Sequence, residues 1–425
     1  MAQTVLPFKL EVTEETITAH AGLCLFGEFL HGLCANALVD RELPRPGSAA
    51  GYRPSAFIEP LILMLNGGGR SLEDLRVIYS DVGLLEVLGI KDRPSTDAVG
   101  DWLRRMGAGE GLPRLLKVNR KVLRRALKRE ARKVYTLDPD ATQVIAEKRD
   151  AKVTYKGERG YMPMVGHLAE NGLVVGEEFR EGNDSPGARN REFIRHCMEQ
   201  MPAGKRIGFL RADSAAYQAD IFNDCEERGV KFAIGGDLDD AVKRLIRAIP
   251  EGEWRPYQDG HVAETVHCMN KTKKAFRLVV VRRPVQGELF GEEDEKKRYK
   301  VIASNREETA EETVAWYNQR GEASENRIKE LKIGLGMERM PCGDFLANAV
   351  FFRIGVLAYN LFRFFQAVCL PGSWARHQAR TVRWRLYGLA GKVTRHAREL
   401  VLKVGRDVHG LLSEIRARCR AFCHG

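Results

Sequence analysis

The sequence predicts an α/β protein in which a mixed sheet is flanked by helical N-terminal and C-terminal regions and carries a β-rich insertion. Three observations point there. The chain has 425 residues, more than the roughly 250–300 that one hydrophobic core usually serves, so two or three domains are expected. The hydrophobic period changes from helical spacing to short β-rich segments at Val134, and returns to helical spacing beyond Ser304. Lys and Arg (68) outnumber Asp and Glu (57), a formal charge of +11, so the surface attracts polyanions, nucleic acid before an acidic membrane face.

Other classes are disfavoured. No run of about 18 uninterrupted apolar residues is present, and residues 1–10 lack the basic-then-apolar layout of a leader, so a soluble intracellular protein without a membrane partner is expected. The nine cysteines form no paired CxxC sets, which suits reduced structural thiols; Cys419, Cys423 and His424 make only a small cluster on the tail.

Residues 1–133 read as a helical, DNA-binding region. Apolar residues recur at helical spacing over 22–38, 56–65 and 71–88, with Gly- and Pro-containing breaks at 44–51 and 67–69. Ser95 is placed to cap a helix running to Met106, with Asp97 and Asp101 near its positive end. With 71–79 and 84–88 this makes either a helix-turn-helix or an ordinary three-helix packing unit. Residues 114–133 hold ten cations against Glu130 alone, over a narrow stripe of Leu115, Val118 and Val122. Arg124, Arg125 and Lys128 on such a helix are candidates to follow phosphates.

Residues 134–236 change to strands at 134–137, 161–168, 172–180, 206–211 and 230–235, the later ones separated by helices at 191–200 and 217–227. Short links make the first three strands an antiparallel meander. Helical crossovers make the last two run parallel to the first. This β-β-β-α-β-α-β order is that of an RNase H-like core, in which strand one sits beside strand four. Residues 237–303 form the β-rich insertion, with Trp254, an acidic stretch at Glu292 to Glu295, and strands at 276–281 and 299–303. Residues 304–340 return to the core as a long helix, for which Ser304 and Glu307 offer a capping box. Residues 341–425 are a basic helical C-terminal region: an apolar helix at 345–365, then Arg376, Arg380, Arg383, Arg385 and further cations interleaved with Trp384 and Tyr387.

Asp140 ends the first strand in L-D-P-D-A-T and Asp213 ends the fourth in F-L-R-A-D-S. If those strands are neighbours, both carboxylates emerge at the edge where α/β sheets place their sites. Metal-assisted phosphoryl transfer needs such convergent carboxylates, which hold two divalent cations about 3.5–4 Å apart. Asp138 faces the same way as Asp140 and rivals it as first ligand. A third acid lies in Y-N-Q-R-G-E-A-S-E-N-R-I-K-E-L-K, where Glu325 and Lys332 are seven residues apart and share a face of a straight helix. A solvated, charge-laced helix reads the same way.

These three segments together resemble the DDE transposases of bacterial insertion sequences. The likeness is to the cut-and-paste group with a Tyr-Arg-Glu-Lys signature, most closely its thirteen-eighty family, over about residues 135–332. The segments R-E-G-N (180–183) and R-Y-K-V-I-A-S-N (298–305) fall where that family has similar ones. The resemblance implies Asp140, Asp213 and Glu325 as catalytic metal ligands for two Mg²⁺ ions, with Mn²⁺ able to substitute. It implies that Tyr317, Arg320 and Lys332 hold phosphates beside the cut. Trp254 would be either an insertion-domain aromatic stacking an extruded base or a core tryptophan.

The implied partners are terminal inverted repeats and target DNA, handled by a homodimer on DNA, in the cytoplasm at a prokaryotic nucleoid. One departure concerns spacing: four residues, not three, separate Arg320 from Glu325. A five-residue step turns about 140° on a straight helix, so Arg320 would point away from Glu325 unless the helix starts or bends near Gly321, and Glu322 is an alternative third ligand. An RNase H-like nuclease that cuts without joining, or an inactive transposase-derived DNA-binding protein, are the rival readings.

The charge distribution predicts strongly salt-dependent DNA binding, because each neutralised phosphate releases condensed counterions. Neutralising Arg124, Arg125 and Lys128 together should weaken binding to all sequences alike. It should also flatten the plot of log affinity against log salt by about two to three units, measured by fluorescence anisotropy.

Overall fold

The structure, a computed structural model, describes residues 6, 8–48, 51–284 and 298–424, without the side chains of 322–325, 423 and 424. The acidic stretch at 292–295 and the side chains of Cys423 and His424 therefore lie outside the described residues.

A short strand β1 (Ile17–Thr18) precedes seven helices: α1 (Ala21–Gly32), α2 (Ala35–Glu42), α3 (Pro54–Gly67), α4 (Leu75–Ser80), α5 (Val82–Leu88), α6 (Thr96–Ala108) and α7 (Gly111–Lys128). The helix expected over 22–38 is two helices, because Cys34 sits in the left-handed region at φ 50°. The pattern over 71–88 is likewise divided. Asp81 breaks it, accepting from Leu84 N at 2.8 Å to cap α5 and holding Thr18 Oγ1 and His20 Nδ1 at 2.8 and 2.7 Å. Ser95 caps α6 as its sequence predicts, accepting from Ala98 N at 3.2 Å. That helix buries Val99, Trp102, Leu103 and Met106, with Trp102 stacked on Phe57. Helix α7 buries Leu115, Val118, Val122 and Leu123 and exposes Arg120, Arg124, Arg125 and Lys128.

The chain then enters the sheet through β2 (Val134–Ala141). Strands β3 (Val144–Ile145), β4 (Lys152–Val153) and β5 (Arg159–Tyr161) form a small separate sheet, and β6 (Met164–Leu168) and β7 (Val174–Glu178) complete the meander. Helix α8 (Asn190–Gln200) leads to β8 (Arg206–Ala212), and α9 (Ala219–Arg228) to β9 (Lys231–Gly235). Strand β2 pairs parallel with β8, and β8 parallel with β9, while β2, β6 and β7 are antiparallel. The first strand is therefore central beside the fourth.

After α10 (Asp240–Arg247), strands β10 (Arg255–Tyr257), β11 (Gly260–His267), β12 (Phe276–Arg282) and β13 (Tyr299–Ser304) continue the same sheet. Strand β13 pairs antiparallel with β9, giving a nine-stranded order β10-β11-β12-β13-β9-β8-β2-β6-β7. The long helix α11 (Ala310–Lys329) begins later than expected. Ser304 ends β13 and donates its hydroxyl to Phe232 O at 2.7 Å, and the capping box is Thr309 with Glu312.

Helix α12 (Phe345–Val368) is the centre of the helical side. By length and composition it could cross a membrane, yet 83% of its apolar window is buried, packed against α3, α6 and α7. Its Asn360 side chain accepts from Val174 N and donates to Val174 O and to Asn119 Oδ1, each at 2.8 Å, joining edge strand β7 to α7.

The C-terminal region is not all helix. After α13 (Ala379–Val382), strands β14 (Gly391–His396) and β15 (Glu399–Val404) form a hairpin that pairs with β1 before α14 (Arg406–His424). Ala397 and Arg398 both have positive φ, the turn that matches strand twist. Val393, Thr394, Val401 and Val404 favour strand over helix.

His167 on β6 is fully enclosed and neither ring nitrogen has a partner among the described residues. Burial, aided by Arg327 and Arg363, pushes its pKa down from 6.5 to about 3. The unfolded chain therefore takes up a proton below about pH 6.5 that the folded chain refuses until about pH 3. Stability should be complete above about pH 6.5 and fall as pH drops through that window. His167→Leu should flatten the decline in Tm between pH 6 and 4, measured by calorimetry.

Candidate active site

The site is assembled by two adjacent parallel strands and one helix. Asp138 and Arg211, on β2 and β8, are both enclosed, their side chains 0% and 3% exposed. Arg211 donates from Nε to Asp138 Oδ1 at 2.8 Å and from Nη2 to Oδ2 at 2.6 Å. Its remaining Nη1 donates to Trp316 O at 2.9 Å, and the guanidinium lies over the Trp316 ring. Both oxygens of Asp138 are thereby committed to an ion pair, so this rival to Asp140 has a structural partner.

The strand register places Thr136 opposite Phe209 and Leu137 opposite Leu210. The next step brings Asp138 beside Arg211, and two residues further the two strand ends present Asp140 and Asp213. Their side chains are 21% and 50% exposed. Asp213 also caps the following turn, accepting from Ala215 N at 3.1 Å.

Arg320, one turn beyond Trp316 on α11, reaches both. Its Nη2 lies 3.3 Å from Asp140 Oδ1 and 4.0 Å from Asp213 Oδ2, and donates to Pro139 O at 3.3 Å. The two carboxylate oxygens can therefore be no further apart than those two contacts combined. Burial opposes the charge on Arg320, but Asp140 and Asp213 outweigh it and raise its pKa. Helix α11 runs through Gly321 without a break; no start or interruption there is needed for Arg320 to meet the two aspartates.

Tyr317 lies three residues before Arg320 on the same helix, nearly one turn away. Burial pushes its hydroxyl pKa up, and a Cβ at Gly235 would come within 2.9 Å of that oxygen, so glycine makes its room. Lys300 on β13 sits 4.9 Å from the Tyr317 ring centroid and donates to Asn318 Oδ1 at 2.6 Å; burial, with Arg283 and Arg320, lowers its pKa.

The helix between Glu325 and Lys332 is not a straight α-helix, because α11 ends at Lys329 and a π-helical turn follows (Glu330–Gly334). Such turns shift the phase of every later side chain. Lys332 still returns to the end of β2, donating to Gln143 O at 2.6 Å, and burial lowers its pKa. The side chains of Glu325 and Glu322 lie outside the described residues.

Other expected contacts lie apart from this cluster. Trp254 is 8% exposed, packed near Tyr299 and beneath the Arg282 guanidinium at 4.3 Å. Arg124 and Lys128 are exposed on α7, as is Arg125, which donates to Leu33 O. Arg383, read as part of a basic surface, is instead half-buried, donating to Leu65 O and Asn66 O at 2.7 and 2.6 Å and to Gly334 O. Tyr387 is buried, while Trp384 is 87% exposed.

Among the described residues no group of three or more His, Cys, Asp or Glu is arranged to hold a metal ion. Asp140 and Asp213 do suit a hard divalent cation: both offer oxygen donors, and both converge on one positive charge. Sequence reasoning missed Arg211 and Lys300. For Arg211 a signal existed, since R-A-D repeats the two-residue step of D-P-D on the neighbouring strand.

Asp138→Asn should cost about 3–5 kcal/mol, because it leaves the Arg211 charge buried without its counter-charge. Asp213→Asn should change stability little, since asparagine caps as well as aspartate. Chemical denaturation of both variants checks this; equal losses would remove the distinction between a structural and an exposed acid.

The family model described as transposase DDE domain group 1 matches residues 5–410. No curated protein matches the sequence. Among solved structures, the cryo-EM structure of a piggyBac transposase synaptic complex with hairpin DNA is similar, at 11% identity and a TM-score of 0.48, over 88% of this chain and 82% of that one.

Proposed function

The chain belongs to the DDE transposases, and from that premise we propose a cut-and-paste enzyme of an insertion sequence. It would bind terminal inverted repeats, cleave DNA beside them and join the freed ends to target DNA, acting at the prokaryotic nucleoid as a dimer on DNA. The finer likeness to the Tyr-Arg-Glu-Lys group and its thirteen-eighty family belongs to the same proposal. So does the division into a DNA-binding region (1–133), an RNase H-like core (134–236 and 304–340), an insertion (237–303) and a basic C-terminal region (341–425).

The observation that carries this reading is the convergence of Asp140 and Asp213, from the ends of adjacent parallel strands, on one guanidinium. In the proposal these two residues and Glu325 hold Mg²⁺, or Mn²⁺ in its place. Divalent ions so held supply activation of the attacking oxygen and charge neutralisation at the leaving one.

The chain's own groups do the rest. Arg320 balances the two aspartates in the free protein and, with Lys332 and Tyr317, would meet the phosphate beside the cut. The basic face of α7, including Arg124, Arg125 and Lys128, contributes affinity without sequence preference. Trp254 would stack an extruded base in this proposal, with Arg282 already over one face of its ring.

Asp213→Asn should abolish divalent-metal-dependent cleavage of DNA from the ends of the element while leaving DNA binding nearly intact, because asparagine keeps size and cap but not charge. A gel assay with Mg²⁺ or chelator checks it. Cutting at the wild-type rate would sink the carboxylate mechanism, and cleavage without joining in the wild type would move the reading to a nuclease.

A further inference from the structure

The C-terminal hairpin leaves the sheet β1-β14-β15 with an open edge, because β15 pairs with β14 and with no other strand among the described residues. Val393 N donates to Thr16 O at 2.8 Å, so the backbone polar groups of Val393 face β1. Its antiparallel partner on β15 is Leu402. The N–H and C=O of Leu402 therefore point away from the hairpin, as do those of Leu400 two residues earlier. An edge of this kind templates further strand pairing unless something blunts it. Residues 399–404 hold no proline, and their register with β14 runs without a shift. Leu400 and Val401 are 42% and 37% exposed, apolar surface that a single chain leaves in water.

The residues along this edge, Glu399-Leu400-Val401-Leu402-Lys403, have a chemical symmetry about Val401. Two copies of β15 laid antiparallel about a two-fold axis at Val401 set each Leu400 opposite the partner's Leu402. Those are the residues whose N–H and C=O groups point outward to exchange bonds. The same arrangement sets Val401 against the partner's Val401, and Glu399 against the partner's Lys403 at both ends. These last are non-hydrogen-bonded positions, where Cα atoms approach to about 4.5 Å and side chains meet most closely. Glu399 and Lys403 are exposed. Within the hairpin Lys403 faces Lys392, whose ammonium is taken by Glu15, so an acid for Lys403 has to come from outside. A slip of the pairing by two residues in either direction keeps the backbone bonds but parts the acids from the lysines. Charge thereby selects one register.

We propose that the open edge of β15 pairs with the same edge of a second copy, joining two three-stranded sheets into one across a two-fold axis at Val401. The interface goes beyond the transposase reading, which expects a dimer on DNA but names no surface, and it rests on the sheet edge rather than on the chemistry at Asp140 and Asp213. A pairing this short falls below the roughly 1,000 Å² of a stable interface. Association on the order of micromolar is therefore expected for the free protein, tightening where one DNA holds two copies together.

Sedimentation velocity of the full chain over a concentration series tests it. The wild type should shift from monomer to dimer. Glu399→Lys and Lys403→Glu should each weaken that association roughly tenfold, because each turns two attractive cross-strand pairs into two repulsive ones. The two substitutions together should restore it, since the exchange keeps every pair. Misfolding gives no such recovery, and an effect of net charge alone would move the two single variants in opposite directions. In a chain with Cys34 and Cys268 changed to Ser, Val401→Cys should form a disulfide-linked dimer on mild oxidation, and Thr394→Cys, one strand further from the axis, should not. A wild type that stays monomeric well above micromolar concentration, a dimer indifferent to the single variants or not recovered in the double one, or equal cross-linking at both positions would overturn the interface. A wild type that stays monomeric while the variants change DNA affinity would make the edge a DNA contact and overturn it as well. None of these outcomes touches the transposase reading, which stands or falls on cleavage by Asp213→Asn.

Discussion

The buried ion pair between Asp138 and Arg211 is the constraint on which the site depends. Both charges are out of water, so each is tolerable only in the geometry that satisfies the other. That geometry fixes how β2 and β8 lie along one another. A slip by one residue would turn the pair to opposite faces of the sheet. Because Asp140 and Asp213 each follow a member of the pair by two residues, the same register sets them side by side at the strand ends. The third arm of Arg211 extends the constraint to α11 through Trp316 O, and one helical turn later Arg320 meets both aspartates.

A second buried polar hub holds the edge of the sheet at β7. Asn360 gives all its bonding capacity to Val174 and Asn119, so α12 cannot rotate without leaving strand β7 and helix α7 with unmet donors and acceptors. Helices from both ends of the chain pack on α12. The N-terminal helices are thereby tied to the sheet through the C-terminal one, a coupling between segments more than two hundred residues apart that supports the exposed basic face of α7 from beneath.

Much of this was legible in the sequence because period and strand-end acids are local signals. The order of the main-sheet strands between Val134 and Gly235, the cap at Ser95 and the placement of Asp140 beside Asp213 follow from them, whereas the small sheet β3-β5-β4, which takes the start of the strand expected at 161–168, does not. What was illegible depended on tertiary partners. Ser304 carries a capping-box pattern, yet its hydroxyl is used by Phe232 O in the sheet, and Thr309 with Glu312 repeats the pattern five residues on. The basic run around residues 391–404 masked a hairpin, since Arg and Lys are compatible with either element while the β-branched residues decide. Arg383 looked like open surface because charge usually is; here three backbone carbonyls hold it half-buried. The π turn at Glu330–Gly334 leaves no mark in a pattern read at 3.6 residues per turn.

The central claim is that the ends of β2 and β8 form one metal-binding pair. Iron-mediated cleavage of the protein backbone tests it most directly, with Fe²⁺ and a reductant in place of Mg²⁺ and the fragments mapped by mass spectrometry. The account predicts cuts clustered near Asp140 and Asp213 together, suppressed by excess Mg²⁺ and lost in Asp140→Asn. Cuts at one strand end alone, or a pattern unchanged by Asp140→Asn, would contradict it.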